Sequence, residues 1–157
     1  MTPAKGGLNL DHLSTDAPRE IGTARRARMR HHQIMGPEER VAIDLTDDER
    51  HLLVRALAEW GGPAHSTDSL AVAMGFENTE DLLLEVRRIA RSIRTNESLS
   101  RRDWRRALIA TEFVFASDVF GSGYEWSTTT GLSDEATIRT LRELQHKLAR
   151  SAKIHQI

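Results

Sequence analysis

The stretch Thr46–Gly62, TDDERHLLVRALAEWGG, indicates most clearly which class of fold this chain adopts. Thr46 and Glu49 have the spacing of a capping box, in which each side chain accepts a hydrogen bond from a free N–H of the first helical turn. Leucine and alanine then recur every three or four residues, which places them on one face of a helix. The glycines end this pattern, so the sequence predicts an amphipathic helix here.

Four further segments towards the C-terminus combine a capping residue with an apolar stripe. They are predicted at about Ser66–Met74, after Asn78, at Ser100–Phe120 and after Ser133. The segment after Ser100 is apolar on more than one side, which is typical of a helix in the middle of a bundle. No segment has the alternation of a convincing strand. The sequence therefore predicts an all-α fold, an irregular bundle of about five helices.

Residues 1–43 lack this periodicity and contain glycines and prolines that interrupt regular structure. They are predicted to form a flexible basic tail that is disordered or is ordered by a partner. The bundle domain is predicted over residues 44–150, with a short C-terminal tail at 151–157. The basic charge of the N-terminal tail is concentrated in Arg25, Arg26, Arg28 and Arg30. Arms of this kind often contact nucleic acid, acidic protein or anionic lipid, so these arginines are candidate binding residues. The alternative is an arm that is merely solvated.

A cluster of eight arginines lies between residues 87 and 106, where only two residues are acidic. Six of them are predicted to bind a partner: Arg87, Arg91, Arg94, Arg101, Arg102 and Arg105. The guanidinium group has the geometry to bind carboxylate or phosphate, so the predicted partner is an acidic macromolecular surface. A protein is expected rather than nucleic acid. The alternative is a solvated face whose arginines pair with acids of the same chain, with little effect on stability.

The loop after the fourth predicted helix is rich in glycine and contains Tyr124 and Trp126. Aromatic residues of this kind are common anchors in protein interfaces, so both are candidate partner-binding residues. The alternative is that both fold back over the core. Glu112, in the most apolar predicted helix, is expected to pair with an arginine if it is buried.

The segment Leu70–Phe76, LAVAMGF, resembles the first helix and turn of a helix-turn-helix. In that motif a small residue lets the next helix pack closely, and glycine takes the left-handed turn conformation. The resemblance implies that Glu77–Asp81 would enter the major groove, yet three of these five residues are acidic. Acidic residues are repelled by the flanking phosphates, so the segment is interpreted as a structural hairpin.

No catalytic constellation is found in the sequence. The chain has no cysteine, and its seven histidines lack the spacing of metal ligands. We therefore expect no catalytic residue, no cofactor and no metal. No apolar run is long enough to span a bilayer, so no membrane contact is expected, and a cytoplasmic location is predicted. The leading hypothesis is a non-enzymatic regulatory or neutralising protein that binds another protein. The alternative is a nucleic-acid-binding regulator with a degenerate helix-turn-helix and an arginine-rich face.

Overall fold

The computed structural model describes residues 38–154, and most of these residues are helical. The elements, in chain order, are β1 (Arg40–Val41), α1 (Asp47–Glu59), α2 (Asp68–Ala73), α3 (Thr79–Arg94), β2 (Leu99–Ser100), α4 (Arg101–Ala116), α5 (Trp126–Thr130) and α6 (Asp134–Ser151). The predicted all-α bundle is confirmed, with α5 as an additional short helix. Of the flexible tail predicted at 1–43, residues 1–37, which include its four arginines, lie outside the described residues.

Side-chain caps begin most of the helices in the described part of the chain. The predicted capping box is present at Thr46 and Glu49. The predicted caps Asn78, Ser100 and Ser133 each accept a hydrogen bond from a backbone N–H three residues later. Two predicted boundaries differ from the structure. Thr67 caps α2, so this helix begins after Ser66, and α4 ends at Ala116, because the backbone at Ser117 is extended.

Helix α1 is the central helix of the bundle and packs against α3, α4 and α6. Its residues Leu52, Leu53 and Ala56 are fully buried. The predicted fourth helix, α4, lies inside the bundle as well and packs against α1, α3 and α6. The second apolar side of α4 carries Phe113 and Phe115, which are only partly buried.

The packed unit begins earlier in the chain than the sequence predicts. β1 pairs with β2 in an antiparallel register, and Trp104 Nε1 donates a hydrogen bond to the carbonyl of Val41 over 2.9 Å. Ile43 is buried as well. Residues 38–43, which were assigned to the tail, thus form one edge of the bundle. The C-terminal boundary is also later than predicted, because Ala152 is buried in the core.

The C-terminus of α3 is capped by the side chain of Arg50, which belongs to α1. The guanidinium of Arg50 donates to the carbonyl of Ile93 and to Asn96 Oδ1. A cation is favourable there because a helix C-terminus carries partial negative charge. Asn96 has a φ of 58°, in the left-handed region that asparagine tolerates better than most residues.

Replacing Asn96 with alanine is expected to lower the free energy of unfolding by about 1–2 kcal/mol, because alanine meets the steric cost of the left-handed region and cannot accept from Arg50. Asn96→Gly relieves that steric cost and should lose less. Urea denaturation of both variants measures the difference. An Asn96→Ala protein as stable as the parent would contradict this account of the turn.

Candidate functional site

Arg88 and Arg106 are the members of the arginine cluster that hold the fold together. Arg88 Nη2 lies 2.6 Å from Glu85 Oε2 and 2.7 Å from Asp103 Oδ1, so it links α3 to α4. Its hydrogen bond to Glu85, together with Asp103, holds the pKa of Arg88 above its usual range. Because two carboxylates of the chain already neutralise its charge, Arg88 is a poor candidate for binding a partner.

Arg106 is 6% exposed and supports the turn between α2 and α3. Its Nε donates to the carbonyl of Gly75 over 2.8 Å, and its guanidinium stacks 4.6 Å from the ring centre of Phe76. Asp81 and Glu85 lie 3.6 and 3.7 Å away. Burial lowers the pKa of Arg106, although an arginine stays charged at any physiological pH. The segment resembling a helix-turn-helix is thus anchored on α4.

Two acidic residues, Asp68 at the start of α2 and Asp81 in the first turn of α3, stabilise the turn between these helices. Asp81 Oδ2 accepts a hydrogen bond from the backbone N–H of Glu77 over 2.9 Å. Asp68 Oδ1 accepts from the N–H of Thr79, and this bond lowers the pKa of Asp68. Of the three acids that made DNA reading implausible in the sequence, Asp81 therefore has a structural role in the hairpin.

Arg106→Met is expected to lower the free energy of unfolding by about 2–3 kcal/mol, because it removes a buried charge and leaves its carboxylate and carbonyl partners unmatched. Arg102→Gln is the control, since Arg102 is exposed on the same helix. An exposed substitution of this kind should change stability by less than about 0.5 kcal/mol. Equal effects of the two substitutions in thermal denaturation would show that Arg106 has no special role.

The three predicted binding arginines of α4 have different surroundings. Arg101 Nη2 lies 2.8 Å from Glu39 Oε2, so part of its charge is satisfied within the chain. Arg102 is exposed and lies near enough to Arg106 to help lower the pKa of that residue. Arg105 is exposed and interacts with its surroundings. These three residues do not form one uniform surface.

Arg87, Arg91 and Arg94 are all exposed and follow one another along a single face of α3. Within residues 38–154, none of the three forms an ion pair with an acidic side chain. Arg91 has a weaker electrostatic effect on Glu97, whose pKa is lowered mainly by a hydrogen bond from Ser92. These three arginines, called here the α3 arginine face, form the continuous row within the cluster that the fold leaves available.

Trp126 is 0% exposed, so its predicted role as an interface anchor was wrong. Its ring meets Phe115 edge-on at 5.3 Å, and its Nε1 donates to Thr137 Oγ1 over 2.8 Å. The preceding chain approaches α4 so closely that a Cβ on Gly121 would lie 2.3 Å from the carbonyl oxygen of Val114. Tyr124, by contrast, is 89% exposed. Of the two aromatic residues that could fold back over the core, only Trp126 does so.

Two carboxylates, the half-buried Glu112 and the buried Glu59, have neutral hydrogen-bond partners. Glu112 is half-buried, so the condition for the expected arginine partner is not met, and its Oε1 accepts a hydrogen bond from Gln145 Nε2 over 2.7 Å. Glu59 Oε2 accepts from the Ser122 hydroxyl, also over 2.7 Å. The missed signal for Glu112 is Gln145 on the inner side of α6. No group of three or more potential metal ligands is found in the described part of the chain.

Comparison with known protein families, curated proteins and solved structures finds no match for this chain. Among residues 38–154, no helix has the length and apolar character needed to cross a membrane. Function must therefore be inferred from the side chains themselves, and the α3 arginine face is the strongest candidate.

Proposed function

We propose that this protein is a non-enzymatic regulatory or neutralising protein that binds an acidic surface of another protein. The observation that carries this proposal is the contrast within one cluster: acids of the chain pair with Arg88, Arg101 and Arg106, whereas the α3 arginine face has no ion pair in the described residues. The contacts of this face would be made by a partner.

The arrangement of the α3 arginine face supports a binding role. Arg87 and Arg91 are four residues apart, and Arg91 and Arg94 are three apart, so neighbouring cations repel one another. The helix C-terminus favours the two later arginines, Arg91 and Arg94, but not Arg87, which lies two turns earlier. Carboxylates of a partner would relieve this repulsion, and the planar guanidinium can bind each of them through two hydrogen bonds.

Nucleic acid is the alternative partner, because phosphate also suits a row of guanidinium groups. The acids at the start of α3 lie on the same hairpin and disfavour it. The tail arginines Arg25, Arg26, Arg28 and Arg30, the exposed Tyr124 and the cytoplasmic location remain predictions.

A triple variant with glutamine at positions 87, 91 and 94 is expected to lose its protein partners in a pull-down from host lysate while it stays folded. Exposed charges contribute little to stability but can orient association. The matched control places glutamine at the exposed positions Arg139, Arg142 and Arg150 of α6, which removes the same charge elsewhere.

The outcome of the pull-down distinguishes the two partner classes. Capture that survives nuclease and is lost only in the α3 variant supports a protein partner. Capture that disappears with nuclease indicates nucleic acid, and a steep dependence of binding on salt would support that alternative. Equal capture by the α3 variant and the α6 control overturns the role of the α3 arginine face.

A further inference from the structure

A shallow groove with a volume of about 390 Å³ lies between α1 and α3, directly beside the α3 arginine face. It is lined by Val54, Leu57, Ala58 and Gly61 on one side and by Val86, Arg87, Ala90, Arg91 and Arg94 on the other. The groove thus combines a basic edge with an apolar floor whose accessible part is formed mainly by Val54 and Ala58, since Leu57 and Val86 are buried. Leu84, which is 59% exposed, continues this edge one turn before Arg87.

We infer that this groove binds one short amphipathic helix of a partner protein, with apolar side chains on the floor and carboxylates on the α3 arginine face. The inference rests on the proposed function and specifies the form of the partner. From Val86 to Arg94 the groove extends about 12 Å along α3, at 1.5 Å per residue. A helix of two to three turns fills that length.

The shape of the floor favours a helix as the occupant. Ala58 and Gly61 are exposed and have a small side chain or none, so a partner's apolar residues can approach α1 closely, with the Arg87 guanidinium beside Gly61. Helices that pack in this way have their axes only 8–10 Å apart, and small residues permit the closer end of that range. Apolar side chains three and four residues apart on the partner helix would follow the groove.

The basic edge determines the charge of that helix. Arg87, Arg91 and Arg94 are spaced by four and three residues, which is the repeat of a single helical face. A helix lying alongside presents acidic residues to all three when its own acids recur at the same spacing. Nucleic acid would satisfy the arginines but would leave the apolar floor uncovered, so the combination favours an acidic amphipathic peptide.

The test is the selection of random 16-residue peptides displayed on phage against the full chain. We expect the selected sequences to be acidic, with apolar residues at intervals of three and four. A selected peptide, labelled with a fluorophore, should bind at least tenfold more weakly when positions 87, 91 and 94 are glutamine. It should also bind at least tenfold more weakly to Ala58→Gln, whose longer side chain occupies the floor. Ala73→Gln, on the exposed side of α2, is the control and should bind normally.

Each contrary outcome separates the groove from the proposed function. Acidic peptides that lack an apolar repeat, or that bind Ala58→Gln normally, overturn the groove and leave the proposed function standing. Peptides that bind the triple arginine variant normally overturn the groove as well. The lysate pull-down decides the proposed function separately. Failure to select any peptide overturns the groove, while a nuclease-resistant partner lost in the α3 variant still supports the proposed function.

Discussion

Replacing Trp126 with alanine is expected to lower the free energy of unfolding by about 3–5 kcal/mol, the usual effect of deleting a large buried aromatic side chain. The indole is fully buried and fills the space between the turn after α4 and the start of α6. Its removal leaves a cavity, takes away the edge-on contact with Phe115 and leaves the buried Thr137 hydroxyl without its donor. Urea denaturation followed by circular dichroism measures the loss.

The matched control is Tyr124→Ala, two residues earlier in the same loop. Tyr124 is almost fully exposed, so its substitution should change stability by less than about 0.5 kcal/mol. Trp126→Phe is a second variant that retains most of the apolar volume but not the N–H, and it should fall between the parent and Trp126→Ala. A Trp126→Ala protein that keeps full stability but fails to bind a partner would restore the interface role that the structure denies.

Lys147→Met is expected to lower the free energy of unfolding by about 3 kcal/mol, because it leaves a buried carboxylate without its cation. Glu49 is 1% exposed and accepts hydrogen bonds from the Lys147 ammonium and from the backbone N–H of Thr46. Lys147 also donates to the carbonyl of Asp44 over 2.8 Å. One side chain of α6 therefore secures both the capping box of α1 and the segment that leads into it.

A double-mutant cycle with Glu49→Gln isolates the energy of this pair. The double variant should lose less stability than the two single variants lose together, because neither charge is then left without its partner. The control is Arg139→Met, which breaks the exposed ion pair of Arg139 with Glu135 and should change stability by less than about 0.5 kcal/mol. If Lys147→Met also changed stability by so little, the hydrogen bond from Thr46 alone would be enough to stabilise Glu49.

Local chemistry made the helix starts predictable from the sequence. A capping hydroxyl or carboxamide and the N–H that it contacts lie three residues apart, so the pattern is visible without knowledge of the fold. The caps at Thr46, Asn78, Ser100 and Ser133 were found for this reason. The pairing of β1 with β2 was missed because two-residue strands are too short to show any alternation.

The position of each helix within the bundle depends on contacts between distant residues, which the sequence pattern does not reveal. The apolar character of α4 indicated a central place, but nothing in the pattern showed that α1 lies there as well. Trp126 turns inward because Phe115 and Thr137 meet it there, and neither is near in sequence. The burial of Arg106 did have a local signal, since it lies three residues from Asp103 and four from Ala110, on the buried face of α4.

The hydrogen bond from Arg50 to the end of α3 affects the conformational entropy that binding would require. Because the Arg50 side chain of α1 donates a hydrogen bond to the last turn of α3, the distance between the two helices is fixed in the unbound protein. If the groove binds a peptide as proposed, a protein whose groove is fixed in this way loses little conformational entropy on association, and the entropy cost of ordering falls on the peptide. A peptide that folds only on contact would accordingly gain affinity from a covalent staple that pre-forms its helix, whereas stiffening the protein would add nothing.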